Sequence, residues 1–198
     1  MADYTALTEA STALVELLRD YMTPEPLGNR ETINLCSPHE SENNQLTLYL
    51  YQMEEDPQNM SAGYYSVDSE TERMRPASYT LHFLMTAHSK APAQLKEADQ
   101  YRIMGAAIQA LRDNPVIPQK YLGGSLAAEK AQLHVSIDKT TMEQLLKIWN
   151  NTSKDYKLSN VVTITGVTIE SKKSRRVPRV TEVIIGTDQK PEQKGERK

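Results

Sequence analysis

The chain has 198 residues, of which 38% are hydrophobic and 25% charged, and this composition suits one globular domain with or without a tail. A formal net charge of -3 gives no support to binding of nucleic acid or of an anionic membrane. Cys36 is the single cysteine, which excludes an internal disulfide and is typical of a protein in a reducing compartment.

The first predicted element is an amphipathic helix. Apolar side chains recur at three- and four-residue spacing between Leu7 and Tyr21, which predicts a helix of about 18 residues. Thr5 can cap its start, and Pro24 ends it because proline cannot continue a helix.

Three strands are predicted in the first half of the chain, over residues 32–36, 45–53 and 79–86. The segment before the third strand, 54–75, is polar, rich in turn-forming residues and longer than most loops in a compact domain. We interpret it as a mobile loop or a protruding hairpin. Its Tyr64 and Tyr65 are therefore predicted to contact a partner protein.

The second half of the chain predicts a helix after Pro92 that stops at Asn114, because the residue before a proline avoids the helical region. A weakly patterned linker over 119–129 leads to a short strand around Val135.

A capping box formed by Thr140 and Glu143 predicts one more helix, with Trp149 on its buried face. The last strand, 161–169, is apolar on both faces at its start, which indicates a place in the middle of the sheet. The elements together predict an α+β fold with a mixed or mostly antiparallel sheet of four to five strands and helices packed on one face.

The composition changes at Ser171, where a basic run begins. We therefore predict an α+β domain over 1–170 and a basic, extended, partly disordered arm over 171–198. Within this arm we predict that the basic residues Arg175 and Arg176 bind an acidic surface of a partner protein. We also predict that the segment 177–185 adds a strand to a partner's sheet through its apolar residues Val180, Val183, Ile184 and Ile185.

The sequence shows no constellation of residues typical of catalysis or of a cofactor site. The four histidines lack zinc-type spacing, and no nucleophile elbow or glycine-rich phosphate loop is present. The basic run lacks interleaved aromatic residues, so nucleic-acid binding is not predicted. We expect no enzyme activity, no metal and no cofactor, and a protein that works through its surfaces.

No apolar run approaches the length of about 20 residues that a membrane-spanning helix needs. The opening residues lack a basic segment followed by an apolar one, so no secretory signal is predicted. We expect assembly in the cytoplasm and no direct insertion into a membrane.

Several segments carry a family resemblance in their order and spacing: QLTLYLYQ at 45–52, RPASYTLHFLMTA at 75–87, GAAIQALRDNP at 105–115 and LLKIWNNTSKDYKLS at 145–159. With the opening helix and the last strand, they resemble the cap, or tail-terminator, proteins of extracellular contractile injection systems. These are phage-tail-like particles of the antifeeding-prophage and virulence-cassette type. The resemblance covers roughly residues 5–170.

The resemblance implies a structural protein that forms a ring, expected to be a hexamer, on the last rings of inner tube and sheath. Such a cap ends polymerisation and holds the sheath extended. It would be part of the assembled particle, and whether that particle is released by lysis or stays with a membrane is left open. The alternative is an inner-tube or baseplate-adaptor component of the same kind of particle.

Overall fold

The computed structural model describes residues 3–38, 43–56, 63–150, 152 and 155–177. The helices are α1 (Ala6–Met22), α2 (Lys96–Asp113), α3 (Gly124–Glu129) and α4 (Met142–Asn150). The strands are β1 (Ile33–Leu35), β2 (Leu46–Glu55), β3 (Tyr64–Ser66), β4 (Thr71–Met74), β5 (Ala77–Ala87), β6 (His134–Ile137), β7 (Ser159–Ile169) and β8 (Ser174–Arg176).

The main sheet has five strands in the order β1-β2-β5-β7-β6. β1 runs parallel to β2, and every other pair in this sheet is antiparallel. The predicted α+β class and the mixed sheet are therefore confirmed. The last strand lies in the interior, as expected, although the central position belongs to β5.

The core has two unequal parts, one on each face of the main sheet. α1, α2 and α3 cover one face, where their apolar side chains pack against Phe83 and Ile164. α4 covers the opposite face, where Trp149 and Leu145 pack against Leu84 and Val161. The helices are thus not all on one face, because alternate residues of β5 and β7 are apolar on both sides near Leu84 and Val161.

The segment predicted as a linker, 119–129, contains α3, and Glu9 of α1 holds its start. The carboxylate of Glu9 accepts hydrogen bonds from the backbone N–H of Leu126 at 2.9 Å and from the hydroxyl of Ser125 at 2.9 Å. Thr5, the predicted cap of α1, donates its hydroxyl to the same carboxylate at 2.7 Å. Burial raises the pKa of Glu9, but these hydrogen bonds together outweigh it and lower the pKa.

The capping box of α4 lies one residue later than predicted. The backbone N–H of Thr141 donates to Gln144 Oε1 at 2.9 Å, and the backbone N–H of Gln144 donates to Thr141 Oγ1 at 3.3 Å. These reciprocal bonds are the ones that a capping box supplies. The predicted Trp149 is buried, whereas Met142 is 52% exposed.

Within the segment predicted as a loop or hairpin, residues 63–75 form a hairpin, and it belongs to a second sheet with the order β3-β4-β8. Thr71 pairs with Arg176 in this sheet, and Ala77 pairs with Ile169 in the main one. The two registers differ by a single residue, so β8 continues beside β4 as β7 does beside β5. The second sheet is therefore a projecting continuation of the main sheet, here named the ribbon (residues 63–75 and 171–177).

A buried histidine lies where β5 ends. His88 is 7% exposed, and its Nε2 lies 2.9 Å from the hydroxyl of Thr47. The ammonium group of Lys157 lies 3.3 Å from its Nδ1. Burial, followed by the charge of Lys157, lowers the pKa of His88 from 6.5 to about 4.

This histidine should make stability depend on pH between about 6.5 and 4. Above this window His88 is neutral in both states, whereas within it the unfolded chain binds a proton that the folded chain does not. The free energy of unfolding should therefore fall by about 3 kcal/mol as the pH drops through the window. Denaturant unfolding at several pH values, compared with His88→Gln, measures this. An equal slope in both proteins would assign the pH dependence to other groups.

Candidate assembly surfaces

The ribbon brings together two of the residues predicted to bind a partner. The guanidinium of Arg175 lies 4.2 Å from the ring centroid of Tyr64. The Nε of the same guanidinium donates to Glu72 Oε2 at 2.9 Å, and its Nη2 lies 2.8 Å from the same oxygen. Cation–π contact and a two-atom ion pair therefore order this face of the ribbon from β3 across β4 to β8.

Two other predicted residues, Tyr65 and Arg176, lie on the opposite face of the ribbon. Tyr65 pairs with Arg73, and Arg176 pairs with Thr71. Neighbouring residues of a strand point to opposite faces, which separates Tyr65 from Tyr64 and Arg176 from Arg175. The remaining predicted residues, Val180, Val183, Ile184 and Ile185, lie outside the described residues.

The ribbon carries exposed apolar side chains and no hydrophobic core cluster of its own among the described residues. Val67, Met74 and Val177 are all more than a third exposed. A small sheet gains stability when one of its faces is buried. This makes the ribbon a candidate contact surface.

A second candidate surface is the free side of β2. β1 pairs only with Leu46 to Leu48, and one more bond runs from the N–H of Cys36 to Leu48. Beyond that point, no strand among the described residues pairs with this side of β2. We name residues 49–55 the β2 edge.

Apolar side chains flank the β2 edge on both faces. Leu50 lies opposite Phe83 and Met53 opposite Leu81, and both partners belong to the core under α1. Leu50 and Met53 are nonetheless 36% and 47% exposed. On the other face, Tyr49 and Tyr51 are half-buried beside the cluster around Trp149.

The opposite edge of the main sheet is closed by the chain itself. The N–H of Val135 donates to Pro115 at 2.8 Å, and the N–H of Ile117 donates to Leu133 at 2.9 Å. Val116 also forms an isolated bridge with His134. Among the described residues the two edges therefore differ, since one is covered by the chain and the other has backbone groups that no strand pairs with.

A groove of about 380 Å³ lies between the β2 edge and α4. His82 and Asp138 line it, and the buried hydroxyl of Thr163 donates to Asp138 Oδ2 at 2.5 Å and lies 2.8 Å from Nδ1 of His82. This chain of polar contacts ties β5 and β7 to the residue that follows β6. Burial, and then the carboxylates of Asp138 and Glu54, raise the pKa of Tyr51 above its usual value.

The described part of the chain contains no group of three or more His, Cys, Asp or Glu residues that could hold a metal ion. Within the same residues, no helix combines the length and the apolarity that a membrane span requires.

Sequence reasoning indicated the hairpin of the ribbon but missed the β2 edge. Composition alone indicates that 54–75 is a projecting segment. The edge depends instead on which strands pair, and on a partner strand, β1, that is only three residues long. The one signal that could have indicated this edge is the difference in length between β2, which has ten residues, and the shorter strand predicted before it.

Solved structures with a similar fold include two from contractile injection particles or related prophages. One is the sheath/tube terminator of an extracellular contractile injection system, PVC, in its extended state; the TM-score is 0.65 and the identity 17% over 96% of this chain. The other is the tube-terminating cap of the anti-feeding prophage, with a TM-score of 0.57 and 19% identity over 90% of this chain. The chain spans 66% and 60% of their respective lengths.

No curated protein gives a significant match to the chain. A family model does: the one described as the Pvc16 N-terminal domain matches residues 9–182. This match spans the described main sheet, the ribbon, most of α1 and the whole of α2, α3 and α4. The chain therefore belongs to the Pvc16 N-terminal domain family.

Proposed function

We propose that this chain is a structural cap, or tail terminator, of a contractile injection system. The observation that carries the proposal is its likeness to a sheath/tube terminator and to a tube-terminating cap over almost all of its length. Its candidate surfaces also support it, since a projecting ribbon and an open sheet edge are suited to contacts between proteins.

The physical task of a cap follows from the way a tube grows. Tube and sheath extend through repeated head-to-tail contacts, so their last ring always presents unpaired surface. A cap offers a complementary face without a second copy of the growing face, which ends polymerisation and holds the sheath extended. We infer a ring, with six copies as its expected number, that contacts inner-tube and sheath proteins and has no catalytic role.

We further propose that the protein is made and assembled in the cytoplasm and becomes part of the finished particle. In this proposal residues 1–170 form the capping domain and residues 171–198 are the contact arm. The first part of that arm is built into the ribbon as β8. The arm and the hairpin would then reach a neighbouring subunit or the particle together.

Electron microscopy of particles from a strain that lacks the gene tests the function. We expect tubes of irregular or excessive length, or sheaths that do not stay extended. An inner-tube subunit would instead abolish tubes, and an adaptor would leave defects at the baseplate end. Particles of normal length with an intact cap would refute the proposal.

A charge reversal on the ribbon tests the predicted contact residues. Arg176 is exposed, so Arg176→Glu should leave folding unchanged while it weakens retention of the protein on purified particles at least tenfold. Co-sedimentation measured against protein concentration gives this value. Lys90→Glu is the control, because Lys90 is also exposed but follows the other end of β5. Equal retention of both variants would remove Arg176 from the contact surface.

A further inference from the structure

We propose that the β2 edge is an acceptor site for a strand formed by residues 178–186 of a second copy of this chain. The inference rests on the proposed function, of which it names the contact between neighbouring subunits. Its chemistry is β-augmentation, in which main-chain hydrogen bonds provide affinity and alternate side chains provide register.

The β2 edge has few of the devices by which proteins usually protect an exposed edge. Its pairing register with β5 shifts between Leu50 and Gln52, but residues 49–55 contain no proline and no lysine, and their two charged residues, Glu54 and Glu55, lie together at the end. The exposed Leu50 and Met53 are the kind of side chains that such an edge buries when a strand is added. At the other edge of the same sheet, residues 115–117 cover β6 from within the chain through an isolated bridge and backbone hydrogen bonds.

The occupant is suggested by the residues that follow the described part of the chain. Residues 178–186 read PRVTEVIIG, in which apolar side chains fall on both faces of an extended strand. Apolar side chains also flank both faces of the β2 edge. In an antiparallel pairing Arg179 would approach the acidic end at Glu54 and Glu55, while Ile184 would approach Leu50. The charged and apolar side chains of the two strands therefore match when the strands run antiparallel.

The course of the chain favours a second copy over the same molecule. β8 runs beside β4 away from the main sheet, and the N–H of Val177 donates to Glu70 at the far turn of the hairpin. The chain therefore leaves at the tip of the ribbon, whereas the β2 edge lies beside its base. A donor arm and a separate acceptor edge make a heterologous contact, which closes into a ring when the rotation allows.

Cross-linking of the isolated, full-length chain tests the pairing. In a Cys36→Ser background, one tagged preparation carries Leu50→Cys and a differently tagged one carries Ile184→Cys. After mixing and treatment with a short bismaleimide, we expect a covalent dimer that contains both tags. The yield should exceed at least tenfold that of a control in which Leu95→Cys replaces Leu50→Cys, since Leu95 is 60% exposed and precedes α2.

The remaining outcomes would each overturn the inference. A mixed dimer no more abundant than the control excludes the pairing. A double variant, Leu50→Cys with Ile184→Cys, that gives only an intramolecular product places the arm on its own sheet. Cross-linking of Leu50→Cys to a sheath or tube protein in whole particles, without the mixed dimer, assigns the edge to that protein.

A lysine at the edge provides a second measurement that does not need a cross-link at Leu50. Met53→Lys should reduce the mixed dimer formed between Tyr49→Cys and Ile184→Cys at least tenfold. Met142→Lys, the same substitution at a site of similar exposure on α4, should leave it unchanged within twofold. These readings use the isolated chain, so their failure leaves the particle-length experiment and the proposed cap function unaffected.

Discussion

Replacing Trp149 by alanine should lower the free energy of unfolding by about 3–5 kcal/mol. Trp149 is 2% exposed and packs against Leu84, Leu145 and Val161, so its removal empties most of the core on this face of the sheet. It also deletes the bond from the indole N–H to Ser159 Oγ at 3.2 Å. Chemical denaturation at neutral pH measures the loss.

Trp149→Phe separates packing from the hydrogen bond. Phenylalanine keeps an aromatic ring between α4 and the sheet but removes the indole N–H that donates to Ser159, whose hydroxyl keeps its contacts with Thr86 Oγ1 and the carbonyl of Lys157. We expect a loss of about 1–3 kcal/mol, below that of the alanine variant. A loss under 1 kcal/mol for Trp149→Ala would mean that α4 contributes little to the folded state and that the sheet is stable without it.

Gly166→Ala should cost about 3–5 kcal/mol in the free energy of unfolding. Gly166 has a φ of 90°, which an alanine adopts only with strain. A Cβ there would lie 2.6 Å from the backbone oxygen of Gln132, so the segment before β6 would have to move. The position marks an irregularity, since the pairing register of β5 with β7 shifts between Tyr79 and Leu81.

The same substitution at Gly105 is the matched control for Gly166. Gly105 lies within α2, and a Cβ built there meets nothing within 4 Å. Gly105→Ala should therefore stabilise the protein by about 1 kcal/mol through helix propensity. If both alanines had the same effect, the positive φ and the contact with Gln132 would not determine the stability at Gly166.

The elements that could be predicted from the sequence are those specified by neighbouring residues. Alternation along β2 and β5 and the apolar face of α1 identified these elements because each pattern follows local geometry. The capping box of α4 was predicted one residue too early because both Thr140–Glu143 and Thr141–Gln144 fit the sequence pattern of a capping box. Only the orientation of α4 on the sheet selects between them.

The exposure of side chains and the pairing of distant strands could be determined only from the tertiary structure. Tyr101 lies on the apolar face of α2 by spacing but is largely exposed, because no element among the described residues covers that end of the helix face. The composition of 54–75 indicated a hairpin within this segment, but it did not indicate β8, the strand that completes the second sheet. β8 joins the hairpin by pairing with β4, which brings together residues more than a hundred positions apart in the chain.

The continuity of the ribbon with the main sheet has a mechanical consequence. Because β4 leads into β5 and β7 leads into β8, a pull on the ribbon along its length is carried by the two strands at the centre of the domain. Both strands are drawn in the same direction, so the load passes in shear to the hydrogen bonds with their outer neighbours, β2–β5 and β6–β7, which resist it together rather than being peeled apart one after another. A domain loaded in this way resists tension at its projecting end, which is where a contracting or strained neighbour would apply it.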